Sequence, residues 1–278
     1  MTTAARLALF AAALAVVAGA AALLGRASDV TVGEAAEEEH AAGEGTGALP
    51  NGLSDVAAGL RLVLAPTTLT AGEPARLELQ LVGEGGEPVT ALDETAGEPP
   101  LHLILVRRDL TGYLHLHPRR VGRGFVADVT LPEPGVWRAY ADFELGGEKI
   151  VLGRDLVVPG DYAPRALDAP DDIVDESGYR IALGAAELRA GAEATLAFEL
   201  TRDGEPVVPE PYLGASGHLV AVREDDLAYL HVHPVESAAG STVAFDAELA
   251  EPGRYALFLQ FRDEGTVRTV RFAVEVTR

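Results

Sequence analysis

Apolar and polar residues alternate in short runs along most of the chain, and Gly- or Pro-containing turns punctuate the runs. Leu60-Arg-Leu-Val-Leu64 and Ala75-Arg-Leu-Glu-Leu-Gln-Leu-Val82 place apolar side chains at every second position, the period of a half-buried strand. Thr70-Ala-Gly-Glu73 reads as the turn between them, and Gly85-Gly-Glu-Pro-Val89 as the turn that follows. Further strand runs cover 101–106, 113–117, 124–131, 136–143 and 149–158. A second set covers 179–183, 194–201, 243–249, 255–261 and 266–276. Many short strands with frequent turns predict an all-β chain built from two tandem antiparallel β-sandwiches.

The second set repeats the first. Gly86-Glu-Pro-Val89 recurs as Gly204-Glu-Pro-Val207 and Glu133-Pro-Gly135 recurs as Glu251-Pro-Gly253, both displaced by 118 positions. The expected organisation is a first sandwich at 58–160, a linker at 161–177 carrying Pro164, Pro170 and Asp171-Asp172, and a second sandwich at 178–278. Ahead of them, Arg6 precedes an uncharged run from 7 to 25, and Arg26 follows it. That run is long enough to cross a hydrocarbon layer of about 30 Å as a helix. Ala18-Gly-Ala20 also offers the small-residue pattern of a signal-peptide cleavage site. Residues 1–26 therefore read as a membrane anchor or a signal peptide, and either one exports the rest of the chain. The segment 27–57, with Glu37-Glu-Glu39 and a lone His40, has the composition of a disordered acidic spacer.

Composition narrows the chemistry. The chain has 278 residues, no cysteine, a single methionine at Met1 and a formal charge of −21. Disulfides, thiolate metal sites, blue-copper sites and a thiol nucleophile are excluded, and clustered cationic surface for nucleic acid is not expected.

Six of the seven histidines form two matched triads. Tyr113-Leu-His-Leu-His-Pro118 recurs as Tyr229-Leu-His-Val-His-Pro234; His102 precedes His115 by 13 positions, and His218 precedes His231 by 13. Residues i and i+2 of a strand share a face, so His115 projects with His117 and His231 with His233. A hairpin pairing Val106 with Tyr113 sets His102 opposite His117, with His115 on the neighbouring rung, and the same register sets His218 opposite His233. Three imidazoles so placed suit Cu(II), Zn(II) or Ni(II), and without sulfur the affinity order favours Cu(II), with Zn(II) next. Tyr113 and Tyr229 share the histidine face and are candidate axial or supporting groups. Asp128 and Asp246 correspond between repeats and are candidates to orient a ligating imidazole. Arg107 and Arg223, with Asp109 and Asp225, read as solvated turn residues.

The stretch Tyr212-Leu-Gly-Ala-Ser-Gly-His-Leu-Val-Ala-Val-Arg-Glu-Asp-Asp-Leu-Ala-Tyr-Leu-His-Val-His-Pro234 resembles a family of exported actinobacterial proteins with tandem Ig-like or cupredoxin-like sandwiches. The resemblance spans roughly 58–278. It implies heavy-metal or copper handling, with His218, His231 and His233 as binding residues, His102, His115 and His117 as their first-repeat counterparts, and a metal transporter as a partner. The first copy departs from the pattern in its lead-in, Glu98-Pro-Pro-Leu101.

The expected function is extracytoplasmic metal binding, for Cu(II) buffering or trafficking through two three-histidine sites. Metal uptake should weaken below an imidazole pKa of about 6.5, because protons compete for the ligands. The alternative is a structural or partner-binding module with packed histidines and no metal. An enzyme ranks last, since no general acid, base or nucleophile constellation accompanies the triads.

Overall fold

Strands occupy nearly every alternating run. The computed structural model describes residues 52–94, 99–184, 187–232, 235 and 240–278, apart from the side chain of His231. The apolar segment 7–25 with its two readings, and most of the spacer 27–57, lie outside the described residues. Among the described residues no helix is long and apolar enough to cross a membrane.

The first repeat contains β1 (Val56–Ala57), β2 (Leu60–Ala65), β3 (Ala75–Gly83), β4 (Pro88–Val89), β5 (Leu101–Arg107), β6 (Tyr113–Leu116), β7 (Arg119–Val121), β8 (Gly124–Val129), β9 (Gly135–Leu145) and β10 (Glu148–Val158). They form two antiparallel sheets, β1-β2-β3-β8-β7 with β4 attached to β3, and β10-β9-β5-β6. The second repeat contains β11 (Ile173–Glu176), β12 (Tyr179–Gly184), β13 (Glu193–Arg202), β14 (Glu205–Pro206), β15 (His218–Arg223), β16 (Tyr229–Val232), β17 (Thr242–Glu248), β18 (Gly253–Asp263) and β19 (Thr266–Val276). Its sheets are β11-β12-β13-β14, with β17 on β13, and β16-β15-β18-β19. The chain passes between the two sheets in the same order in both repeats, an Ig-like sandwich. β1–β4, β7 and β8 lie in one sheet and β5, β6, β9 and β10 in the other, and likewise β11–β14 and β17 against β15, β16, β18 and β19. β11 lies inside the segment expected as linker: its four residues pair in full with β12 and make it an edge strand.

Each sandwich has its own core. Leu62, Leu77, Leu79, Leu103, Trp137 and Leu152 are among the residues that fill the first, and Ile181, Phe198, Phe245, Leu257 and Phe272 among those that fill the second. Gly112, in the β5–β6 loop, lies against the Trp137 indole, where a Cβ would come within 2.3 Å of the ring.

The inner strands β5 and β15 of the two four-stranded sheets are buried on both faces, and the sequence shows why. β2 alternates buried and outward positions, whereas β5 is apolar almost without a break and buried throughout. A strand covered on both sides reads as a continuous apolar run. Leu101, Leu103 and Leu105 enter the core of their own sandwich, while Ile104 and Val106 join Tyr140, Val220, Val222, Tyr229 and Phe258 in a cluster shared by both repeats. Tyr140 stacks on Tyr229 with ring centroids 4.7 Å apart, and Tyr113 stacks on Phe258 at 4.5 Å. Tyr140 corresponds to Phe258 in the repeat and Tyr113 to Tyr229, so the two stacks are images of one another. The repeats therefore meet as an isologous pair, like the halves of a two-fold dimer joined into one chain.

Polar contacts fasten this interface. Tyr140 Oη donates to the Leu227 carbonyl at 2.7 Å, and Arg271 donates to the Leu110 carbonyl at 2.7 Å and to Asp168 at 2.6 Å. Leu110 and Leu227 stand at corresponding loops, both with left-handed backbone (φ 61° and 65°) and both seated in the shared cluster.

Candidate metal centre

The β5–β6 hairpin has the register that the spacing predicts. Val106 pairs with Tyr113 and Ile104 with His115, so the next rung sets His102 against His117. On its other side β5 pairs with β9, and His102 lies opposite Asp142. In the second repeat Val222 pairs with Tyr229 and Val220 with His231, while His218 lies opposite Gln260 of β18. His102, His115, His117 and His218 thus occupy the outer faces of the four-stranded sheets, the faces on which the repeats meet.

His102, His115 and His117 each bring one ring nitrogen within 4.8 Å of the other two. Their ring centroids are 4.7–5.1 Å apart. His102 Nδ1 and His115 Nε2 are hydrogen-bonded at 2.8 Å. Nitrogens bound to one ion at about 2.0–2.1 Å stand within roughly 4.2 Å of each other, so the triad needs only a small contraction to share a metal. Chemically the set fits: three imidazole donors and no competing sulfur. His102 is buried, whereas His115 and His117 stay partly exposed and leave an approach for an ion.

The second repeat contributes to the same place. His115 Nδ1 is hydrogen-bonded to Gln260 Oε1 at 2.9 Å, and the His115 and His218 rings are 5.8 Å apart. His218, 2% exposed, is bonded through Nε2 to the Tyr212 carbonyl at 3.0 Å. His218 of the second repeat thus sits beside the first-repeat triad, across the face on which the two repeats meet. The side chain of His231 and all of His233 lie outside the described residues.

Tyr113 and Tyr229 lie in the shared interface. Tyr229 Oη donates to Asp142 Oδ2 at 3.0 Å; the Tyr113 hydroxyl is buried with no hydrogen-bond partner among the described residues. Burial pushes both phenols well above their ordinary pKa, helped by the nearby Tyr212 for Tyr113 and by the Asp142 charge for Tyr229.

Asp128 and Asp246 are corrected. Both project outward from the other sheet of their sandwich, where Asp128 faces Arg76 at 3.6 Å and Asp246 accepts from Thr195 at 2.6 Å. Strand alternation sends Ala127 and Val129 inward, so the aspartate between them faces solvent. The solvated reading of Arg107 and Asp109 also fails: their side chains are 3% and 4% exposed and paired at 3.1 Å, with Glu133 2.9 Å from the same guanidinium.

Asp142 and Gln260 are the residues that sequence reasoning missed. Their signal was present: each is the one strongly polar residue in an apolar stretch, Ala139-Tyr-Ala-Asp-Phe143 and Leu257-Phe-Leu-Gln-Phe261, and the two align in the repeat.

Among solved structures, the chain is similar to the FdeC adhesin of Escherichia coli, with 14% identity over 82% of this chain and 66% of that one and a TM-score of 0.27. It is also similar to a DUF4426 family protein of Pseudomonas aeruginosa, with 12% identity over 38% of this chain and 97% of that one and a TM-score of 0.29. The tandem Ig domains A164–A165 of titin share 14% identity over 79% of this chain and 96% of theirs, with a TM-score of 0.22. No curated protein matches the sequence. The family described as a domain of unknown function, DUF8832, matches residues 55–159 and again 173–278, and the chain belongs to that family, carrying its domain twice in tandem.

Proposed function

We propose that this chain binds a transition-metal ion, with no enzymatic step, at the centre formed by His102, His115 and His117. The observation that carries the reading is the convergence of three ring nitrogens within 4.8 Å at the edge of a buried interface. Cu(II) is the first candidate, because imidazole donors without sulfur favour it in the divalent series; Zn(II) is the second. The role that fits is buffering or relay of the ion outside the cytoplasm, with the N-terminal segment as export signal or membrane tether and a metal transporter as the source or recipient. The acidic charge of −21 supports it by raising the local concentration of cations.

Calorimetric titration of the purified chain with Cu(II) and Zn(II) tests this reading. Saturable uptake that is lost in His115→Ala and His117→Ala is expected, together with a melting temperature that rises with bound metal. Absence of saturable binding by the intact chain refutes it.

A second reading has its own support, since the His102–His115 and His115–Gln260 bonds let the histidines serve as polar packing without an ion. In that case the alanine variants lose stability while metals leave the melting temperature unchanged.

A further inference from the structure

The metal reading above places the ligands on the first repeat, yet the group that orients one of them comes from the second. Gln260 is 6% exposed, and its amide is held at both ends: Oε1 faces His115 Nδ1 at 2.9 Å, and Nε2 donates to Thr269 Oγ1 at 2.9 Å. An amide oxygen only accepts, so the imidazole hydrogen must lie on Nδ1. That leaves the lone pair of His115 on Nε2, the nitrogen 2.8 Å from His102. Metal-ligating histidines typically give their other N–H to such an acceptor, which fixes tautomer and ring orientation.

We infer that Gln260 is a positioning residue, which holds His115 as the Nδ1–H tautomer across the repeat interface and so makes the metal centre dependent on the docking of both repeats. The inference rests on the metal reading for its ligand half; the tautomer half stands without metal. The corresponding position in the first repeat is Asp142, which is engaged by Tyr229, so Gln260 is the device that the duplication diverged to provide at this end. The site therefore binds its ion about 10–100-fold more tightly when the two sandwiches are closed on each other.

The test uses the full chain labelled with 15N-histidine. In the metal-free wild type, long-range proton–nitrogen spectra should show His115 protonated at Nδ1, and Gln260→Leu should lose that preference. Zn(II) titration should show an affinity lower by about 10–100-fold in Gln260→Leu with unchanged stoichiometry. Gln260→Glu, which keeps the acceptor oxygen, should retain both tautomer and affinity and controls for loss of fold. A wild-type His115 protonated at Nε2, or a Gln260→Leu chain that binds Zn(II) as tightly as wild type, overturns the inference. A chain that takes up no Zn(II), yet shows the Gln260-dependent tautomer, supports the positioning role and overturns the metal reading alone.

Discussion

Two tyrosines related by the duplication should respond in opposite ways to loss of the same hydroxyl. Tyr229 Oη donates to Asp142 at 3.0 Å in a setting where Asp142 is 2% exposed. Burial, and then the Asp142 charge, keep this phenol protonated and donating near neutral pH. Tyr229→Phe takes one donor away from a carboxylate that water hardly reaches. A hydrogen bond to a charged group contributes about 1.5–3 kcal/mol, so the expected loss is about 2 kcal/mol. At roughly 2–4 °C per kcal/mol for a chain of this size, the melting temperature should fall by about 4–8 °C. Tyr113 is different: its ring stacks on Phe258 while its hydroxyl is buried without a hydrogen-bond partner among the described residues. Tyr113→Phe keeps the stack and discards an unsatisfied polar group, so it should be neutral or gain up to about 1 kcal/mol. The difference arises because the second repeat has Gln260 where the first has Asp142, and Gln260 is taken by His115 and Thr269. Denaturant unfolding of both single variants, with Asp142→Asn alone and combined with Tyr229→Phe, measures the coupling. Equal losses from the two tyrosine variants, or a Tyr229–Asp142 coupling below about 0.5 kcal/mol, would refute the reasoning.

Ile104→Ala should cost about 2–5 kcal/mol in unfolding free energy although Ile104 belongs to neither sandwich core, because it is fully buried in the shared cluster; a cost near zero would mean that the repeats do not close on each other. Arg107→Ala should be more damaging than Arg223→Ala in the same assay, at about 1.5–3 kcal/mol, since it takes a charged donor from the nearly buried Asp109, which keeps only its bonds from Thr111 and the Arg165 N–H, whereas the partner of Arg223, Asp226, keeps 32% of its side-chain surface exposed. The Arg223 guanidinium, as hydrogen-bond donor, holds the Asp226 carboxyl below its ordinary pKa. A depressed folded-state pKa stabilises fully above the unfolded value of about 3.9, and the contribution disappears as pH falls through the folded value. The stability gap between wild type and Asp226→Asn should therefore narrow below about pH 4, and a gap that widened there would contradict the assignment.

The fold was legible where one face of a strand meets water. Alternation located β2, β3, β12 and β13 within a residue or two, and the hairpin pairing of Val106 with Tyr113 gave the register observed between β5 and β6. Two-residue strands such as β4 and β14 are too short to carry a period, and β11 was hidden by the Pro- and Asp-rich segment around it. Contact between the repeats was written in β5 and β15: Leu103-Ile-Leu-Val106 and Leu219-Val-Ala-Val222 have no polar side to offer solvent. That pattern tells a doubly covered strand from a half-exposed one, but it does not say what covers it. For this reason repeat correspondence alone points to Asp128, on the other sheet, rather than to Asp142, which lies opposite His102 in the strand register.

An isologous interface brings His115 of one repeat and His218 of the other to the same place. When the same face of two repeats meets itself, every residue on that face enters the contact twice, once from each side. A triad on such a face is thereby carried toward its own copy, and His115 comes to lie 5.8 Å from His218. Strict symmetry would give both halves the same polar partner at the position of Asp142 and Gln260. Divergence at that one pair assigns different tasks: the carboxylate accepts from Tyr229 and ties the sheets, while the amide accepts from His115 and bonds onward to Thr269. Exchanging the two residues, as Asp142→Gln with Gln260→Asp, should therefore not be neutral. A carboxylate on the shorter aspartate stem at position 260 falls short of spanning His115 and Thr269 together. The swapped chain should accordingly lose the fixed His115 tautomer in its nitrogen spectrum, and a wild-type spectrum from that chain would show that the side of the interface does not matter.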